Sequence, residues 1–162
     1  MILWPVGMAL VLAWAIFRDP ALDYRLLVVG ALLPDLVDAP FGGARVAHTL
    51  VASVAVLAVA MLATRGHRDA RRRLLALPIG MFLHLLVDGM WARTETFWWP
   101  AFGGTVDGGL PALDASPAVL VVKEIAGGAA LAWWCRRVGL GDREVRRQLF
   151  GTGRLPRRVL DP

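Results

Sequence analysis

Five apolar stretches, each near the length that crosses a bilayer, dominate this sequence. They run at about Ile2–Phe17, Ala21–Phe41, Val46–Thr64, Leu74–Trp91 and Pro117–Val138. A hydrocarbon core of ~30 Å takes roughly 20 helical residues. Within it, every backbone polar group must find its partner inside the segment. Helices meet that demand, so the expected fold is all-α, a polytopic membrane bundle of about five transmembrane helices. Composition agrees. The 162 residues are 57% hydrophobic and 19% charged, whereas soluble domains carry about 25% charged residues. The single cysteine, Cys135, excludes a disulfide framework and a zinc finger.

The basic residues supply a direction. Lys+Arg number 18 against 13 Asp+Glu, a net charge of +5, and Lys123 is the one lysine. Arginines crowd the connection Arg65–Arg73 and the stretch after the fifth apolar segment, and Arg18 and Arg25 flank the first connection. Arg-rich connections stay cytoplasmic. With five spans, one arrangement puts all of them inside: N-terminus out, C-terminus in, across the inner membrane. The expected division is then a transmembrane domain over 1–138 and a basic cytoplasmic tail over 139–162. The charge is split between apolar runs, so membrane lipids are the expected partners and nucleic acid is not. Trp91, Trp98 and Trp99 fall at the outer end and Trp133 and Trp134 near the inner end, as interfacial anchors do. Gly103–Ser116, rich in Gly and Pro, reads as a flexible outer loop. The start, Met1-Ile2-Leu3-Trp4, lacks the positive region of a signal peptide, so the first stretch is expected to be retained.

Ionisable residues inside apolar runs carry the functional information. A charge at mid-bilayer costs about 2.5–3.5 kcal/mol on insertion scales, so such groups face a bundle interior or a cavity. Asp35 and Asp38 stand three apart and His84 and Asp88 four apart, each pair on one helix face. His48 opens the third stretch, and Glu124 lies two or three turns into the fifth. In the orientation above, all six reach similar depth on the extracytoplasmic side. Each has an ordinary explanation when taken singly: a packed histidine, a capping aspartate at Pro34-Asp35, an ion pair of Asp88 with Arg93.

Together they have the chemistry of a metal site. Imidazole and carboxylate suit zinc, manganese or iron, and the lack of thiolates argues against a closed structural zinc. A metal with an open position brings a bound water towards a pKa of ~7, which serves hydrolysis. Asp38 or Asp88 would act as general base or hold an imidazole tautomer, with Glu124 as a further base. The expected reaction is hydrolysis of an ester or phosphoester, with a lipid or lipid-linked substrate suggested by the depth. Two other readings stay open: a non-catalytic membrane protein with a structural or metal-binding polar cluster, and a small transporter. The absence of charge between His84 and Arg73 argues against a continuous transport path.

Four pieces, in order, also carry a likeness. Gly30-Ala31-Leu32-Leu33-Pro34-Asp35-Leu36-Val37-Asp38, Ala47-His48-Thr49-Leu50, His84-Leu85-Leu86-Val87-Asp88 and Trp98-Trp99-Pro100 resemble the bacterial integral-membrane metal-dependent hydrolases, a family that includes LexA-regulated inner-membrane members. The resemblance covers about residues 24–103. It implies metal-site roles for Asp35, Asp38, His48, His84 and Asp88, and hydrolase activity without a defined substrate. Members often carry a histidine where this chain has Gly43, and another in the first helix, near Trp4-Pro5 here. The implied ligand set is correspondingly thinner.

Overall fold

A computed structural model describes residues 1–41, 43–102 and 115–160. Most of the expected loop Gly103–Ser116 lies outside the described residues. The chain is all-α, with no β-strand among the described residues. The helices are α1 (Leu3–Phe17), α2 (Tyr24–Asp38), α3 (Leu50–Ala63), α4 (Arg68–Leu74), α5 (Ala76–Val87), α6 (Thr94–Phe97), α7 (Pro117–Arg137) and α8 (Arg143–Thr152).

Among the described residues, one helix, α7, is long and apolar enough to cross a membrane. Its 21 residues rise about 31 Å. α1 and α3 are apolar but shorter, at 15 and 14 residues. The other apolar stretches outrun their helices because their ends become turns. The second passes from α2 into a 3-10 turn, Ala39–Phe41. The third begins with a 3-10 turn, Val46–His48, before Thr49 caps α3 by accepting the Ala52 N–H at 3.1 Å. The fourth ends at Gly89, whose φ of 74° lies in the left-handed region.

Two close crossings organise the helices. At the first, α2 and α5 run parallel. A Cβ on Gly80 would collide with the backbone of Leu27 and Ala31, and one on Gly30 with the backbone of Leu77. At the second, α1 and α7 run parallel. A Cβ on Gly127 would strike the backbone of Leu3 and Trp4, and one on Gly7 would strike Gly127 itself. Farther along this pair, Trp14 stacks edge-on with Trp133 at 5.7 Å and lies 4.9 Å from the Arg137 guanidinium. Small residues at such crossings let backbones touch, which is how helices associate where lipid removes the hydrophobic drive between them.

The segment after residue 138 is not a separate tail. Val145, Leu149, Leu155 and Leu160 are buried in the same core as Leu10, Leu27 and Leu83. The Tyr24 N–H donates to the Gly153 carbonyl at 2.7 Å, and Arg25 reaches the carbonyls of Phe150 and Gly151. Its arginines suggest a free extension, but α8 is amphipathic, with Val145 and Leu149 on the inward face. Gly153 adopts a left-handed φ of 77° against Asp23, whose carboxylate a Cβ there would overlap. Asp23 itself caps α2 through the N–H groups of Arg25 and Leu26.

Large apolar side chains cover the outside. Val54, Val59 and Leu62 on α3 and Val121, Val122 and Ile125 on α7 are exposed. Neighbouring glycines test the second crossing. Gly127→Ala should lower thermal stability in detergent by roughly 1–3 kcal/mol through overpacking. Gly128→Ala, whose Cβ meets only the Leu3 side chain at 3.6 Å, should be neutral or stabilising by up to ~1 kcal/mol. Equal effects in the unfolding curves would show the crossing to be misplaced.

Candidate metal centre

The expected site residues gather at one end of the bundle. Arg25, Asp69 and Arg73 line a cavity at the opposite end, beside the start of α2. α2 contributes Ala31, Asp35 and Asp38 on successive turns of one face. The 3-10 turn before α3 contributes His48, and α5 contributes His84 and Asp88.

His84 is fully buried, and its Nδ1 lies 2.7 Å from the Ala31 carbonyl oxygen. A carbonyl only accepts, so Nδ1 carries the proton and Nε2 of the neutral ring presents a lone pair. His48 is also fully buried, with Nδ1 2.7 Å from Asp38 Oδ2. Asp38 accepts the backbone N–H groups of Arg45 at 2.7 Å, His48 at 3.2 Å and Ala47 at 3.4 Å as well. Asp38 is thus an acceptor towards every neighbour around it. It therefore takes the Nδ1 proton of His48 as a further hydrogen bond, and the lone pair of this ring again sits on Nε2.

Both Nε2 atoms face Asp35 Oδ1, at 3.4 Å for His48 and 3.6 Å for His84. These separations exceed a normal hydrogen bond. Among the described residues neither Nε2 has a hydrogen-bond partner, although both are buried. Asp35, His48 and His84 thus each present one donor atom, all within 4.8 Å of one another. Three lone pairs aimed at one another in a buried place repel. A cation between them turns the repulsion into coordination. Donors bound at ~2.0–2.1 Å around a tetrahedral ion stand about 3.3 Å apart, close to the 3.4 and 3.6 Å from Asp35 Oδ1 to the two rings. Two imidazoles and a carboxylate form a ligand set for zinc, iron or manganese. The residues present fit a metal ion.

Of the five residues expected as ligands, then, three converge. Asp38 lies behind His48, on the side away from Nε2. It orients the ring and fixes its tautomer, as partners of metal-binding histidines do. Asp88 stands at the margin, with Oδ2 3.8 Å from His84 Nε2 and Oδ1 3.6 Å from Lys123 Nζ. Glu124, expected as a base, is turned elsewhere. Its carboxylate accepts the N–H groups of Ile2 at 2.9 Å and Leu3 at 3.1 Å. The parallel packing of α1 on α7 places these amides beside it, and amides at a helix start lack intrahelical acceptors. Gly43 and Pro5, where relatives of the resembled family often carry histidine, add no donor atom to the three.

Sequence reasoning did not find the Ala31 carbonyl, which no side-chain pattern announces, or the partner of Lys123. It also missed Trp4, whose Nε1–H donates to the Val87 carbonyl at 3.1 Å and ties α1 to the end of α5. Comparison with protein-family models, with curated proteins and with solved structures gives no match.

Asp38 separates orientation from ligation. Asp38→Asn keeps the shape of the acceptor and should leave the chain folded while weakening metal affinity about 10- to 100-fold. Asp38→Ala strands the Arg45 and His48 amides and should lower stability by ~1–3 kcal/mol as well. Metal titration paired with thermal unfolding reads both effects.

Proposed function

We propose that this chain is a multi-pass inner-membrane protein that hydrolyses an ester or phosphoester at its extracytoplasmic face, using a divalent metal held by Asp35, His48 and His84. One observation carries the reading: the unpartnered Nε2 atoms of two buried histidines, each with its proton fixed on Nδ1, converge on one carboxylate oxygen. The likeness to the integral-membrane hydrolase family points the same way.

Helix direction supports five spans. α1 and α7 run one way and α2 and α5 the other, as alternating spans require. α3 packs against α5, and the two helices line one groove. The Arg65–Arg73 connection and α8 lie at the end away from the histidines, which by the Arg-rich cytoplasmic rule supports an extracytoplasmic metal centre.

The residues divide the work. Asp35, half-buried, lies on the approach to the centre. His48 and His84 present neutral nitrogen donors because Asp38 and Ala31 hold their other protons. Asp88, beside His84 and paired with Lys123, is the carboxylate placed to take a proton from water entering the site. The metal, when bound, supplies Lewis acidity at the scissile group. An apolar groove of about 370 Å³ between α3 and α5 passes Leu50 and Leu86, two residues from His48 and from His84. Its walls suit hydrocarbon, which favours a lipid or lipid-linked substrate.

Metal content decides the first step. Detergent-purified protein should hold about one zinc, manganese or iron per chain by elemental mass spectrometry, and folded His48→Ala and His84→Ala variants should hold none. Wild type that stays metal-free after reconstitution with all three metals would overturn the proposal and leave an internally paired polar core.

A further inference from the structure

We infer that Lys123 withholds Asp88 from the metal, and so keeps the centre at three protein ligands. This rests on the metal-centre reading above and assigns a role to a residue that reading leaves unexplained. Three protein ligands leave a zinc-type site open for catalysis, whereas a fourth closes it. The ligand count of this centre therefore turns on the nearest spare carboxylate.

That carboxylate is Asp88. It lies one helical turn past His84, its side chain is 3% exposed, and Oδ2 is 3.8 Å from His84 Nε2. It is held loosely: Oδ1 is buried and makes no hydrogen bond among the described residues. Its recorded cationic contact is Lys123 Nζ, at 3.6 Å. A buried carboxylate held by charge rather than by hydrogen bonds can turn between cations within its reach. Lys123 thus competes with the metal for Asp88.

Lys123 is built for that competition. It rises from α7, where its neighbours Val121, Val122 and Ile125 are exposed apolar residues. An ammonium there is expensive unless paired. Its Nζ lies 5.6 Å from the centre of the Trp4 ring, a cation–π distance. Trp4 is itself anchored on the Val87 carbonyl, immediately before Asp88. The ammonium thereby meets Oδ1 of Asp88, while His84 Nε2 faces Oδ2. An arginine here would be longer and forked, so its second contact would not match a single carboxylate oxygen.

Cobalt(II) reports ligand number through its visible absorption, without any need for a substrate. Wild-type protein and Lys123→Met, Asp88→Asn and the double variant are loaded with cobalt in detergent, and metal loss to a chelator is timed. Lys123→Met should change the absorption and slow metal loss about tenfold, because Asp88 swings in as a fourth ligand. Asp88→Asn should keep the wild-type spectrum. The double variant should also return to the wild-type spectrum and rate.

A changed spectrum in Asp88→Asn alone would show that Asp88 is already a ligand and overturn the inference. So would wild-type behaviour, or faster loss, in Lys123→Met. If Lys123→Met does not fold because Asp88 is left uncompensated, the Asp88→Asn spectrum still decides. Failure of wild type to take up cobalt would instead overturn the metal-centre reading itself, and this inference with it.

Discussion

The backbone contact between α2 and α5 at Gly30 and Gly80 sets the positions of nearly everything above it. Small residues at a helix crossing let two backbones come into van der Waals contact, which holds the helices at short range. Here that contact is tight enough for a Cβ on either glycine to collide with the opposite backbone. One turn farther along, the same closeness brings the Ala31 carbonyl within 2.7 Å of His84 Nδ1. The proton is then committed, and with it the lone pair on Nε2. A wider crossing would leave the imidazole free to present either nitrogen. The chemistry of His84 is in this sense a property of two glycines.

The second histidine is oriented by a different device with the same result. His48 is not on a long helix. It sits in a 3-10 turn, and its ring is aligned by Asp38 at the end of α2. Asp38 also takes up the amides of the loop that leads to His48, so loop and ring are fixed by one carboxylate. α2 therefore positions both imidazoles, one through a carbonyl and one through a side chain, and adds Asp35 between them. Pro34, which leaves the Gly30 carbonyl without its usual helical donor, falls inside this working stretch.

Much of this was legible in the sequence. Apolar stretches gave the all-α class, and the ionisable residues inside them singled out Asp35, His48 and His84, which the fold brings together. The i,i+4 spacing put His84 and Asp88 on one face. What spacing cannot tell is which atom of a residue faces which neighbour. Asp38 and Asp35 share a face, yet one orients a ring and the other presents its oxygen to the donors. Glu124 was misread because its partners, the Ile2 and Leu3 amides, depend on α1 lying parallel to α7, a pairing fixed by glycines at positions 7 and 127. The amphipathic α8 was hidden by its arginines, since a strip of valine and leucine among so many charges reads as solvated tail. Helix ends were overrun because turn-forming residues such as Thr49 and Gly89 lie inside apolar runs.

The joining of the two ends of the chain has a consequence for its biosynthesis. Glu124 and the Ile2 amide are 122 residues apart, and Arg25 and the Phe150 carbonyl 125 apart. At about 5–20 residues per second, a ribosome separates such partners by roughly 6–25 s. Throughout that interval α1 is without α7, its glycine face turned to whatever surrounds the nascent helix. α2 likewise waits for Gly153 before its first amide is paired. Of the described helices α1 is made first yet locked late, so whatever surrounds it in the interval has to release it to α7.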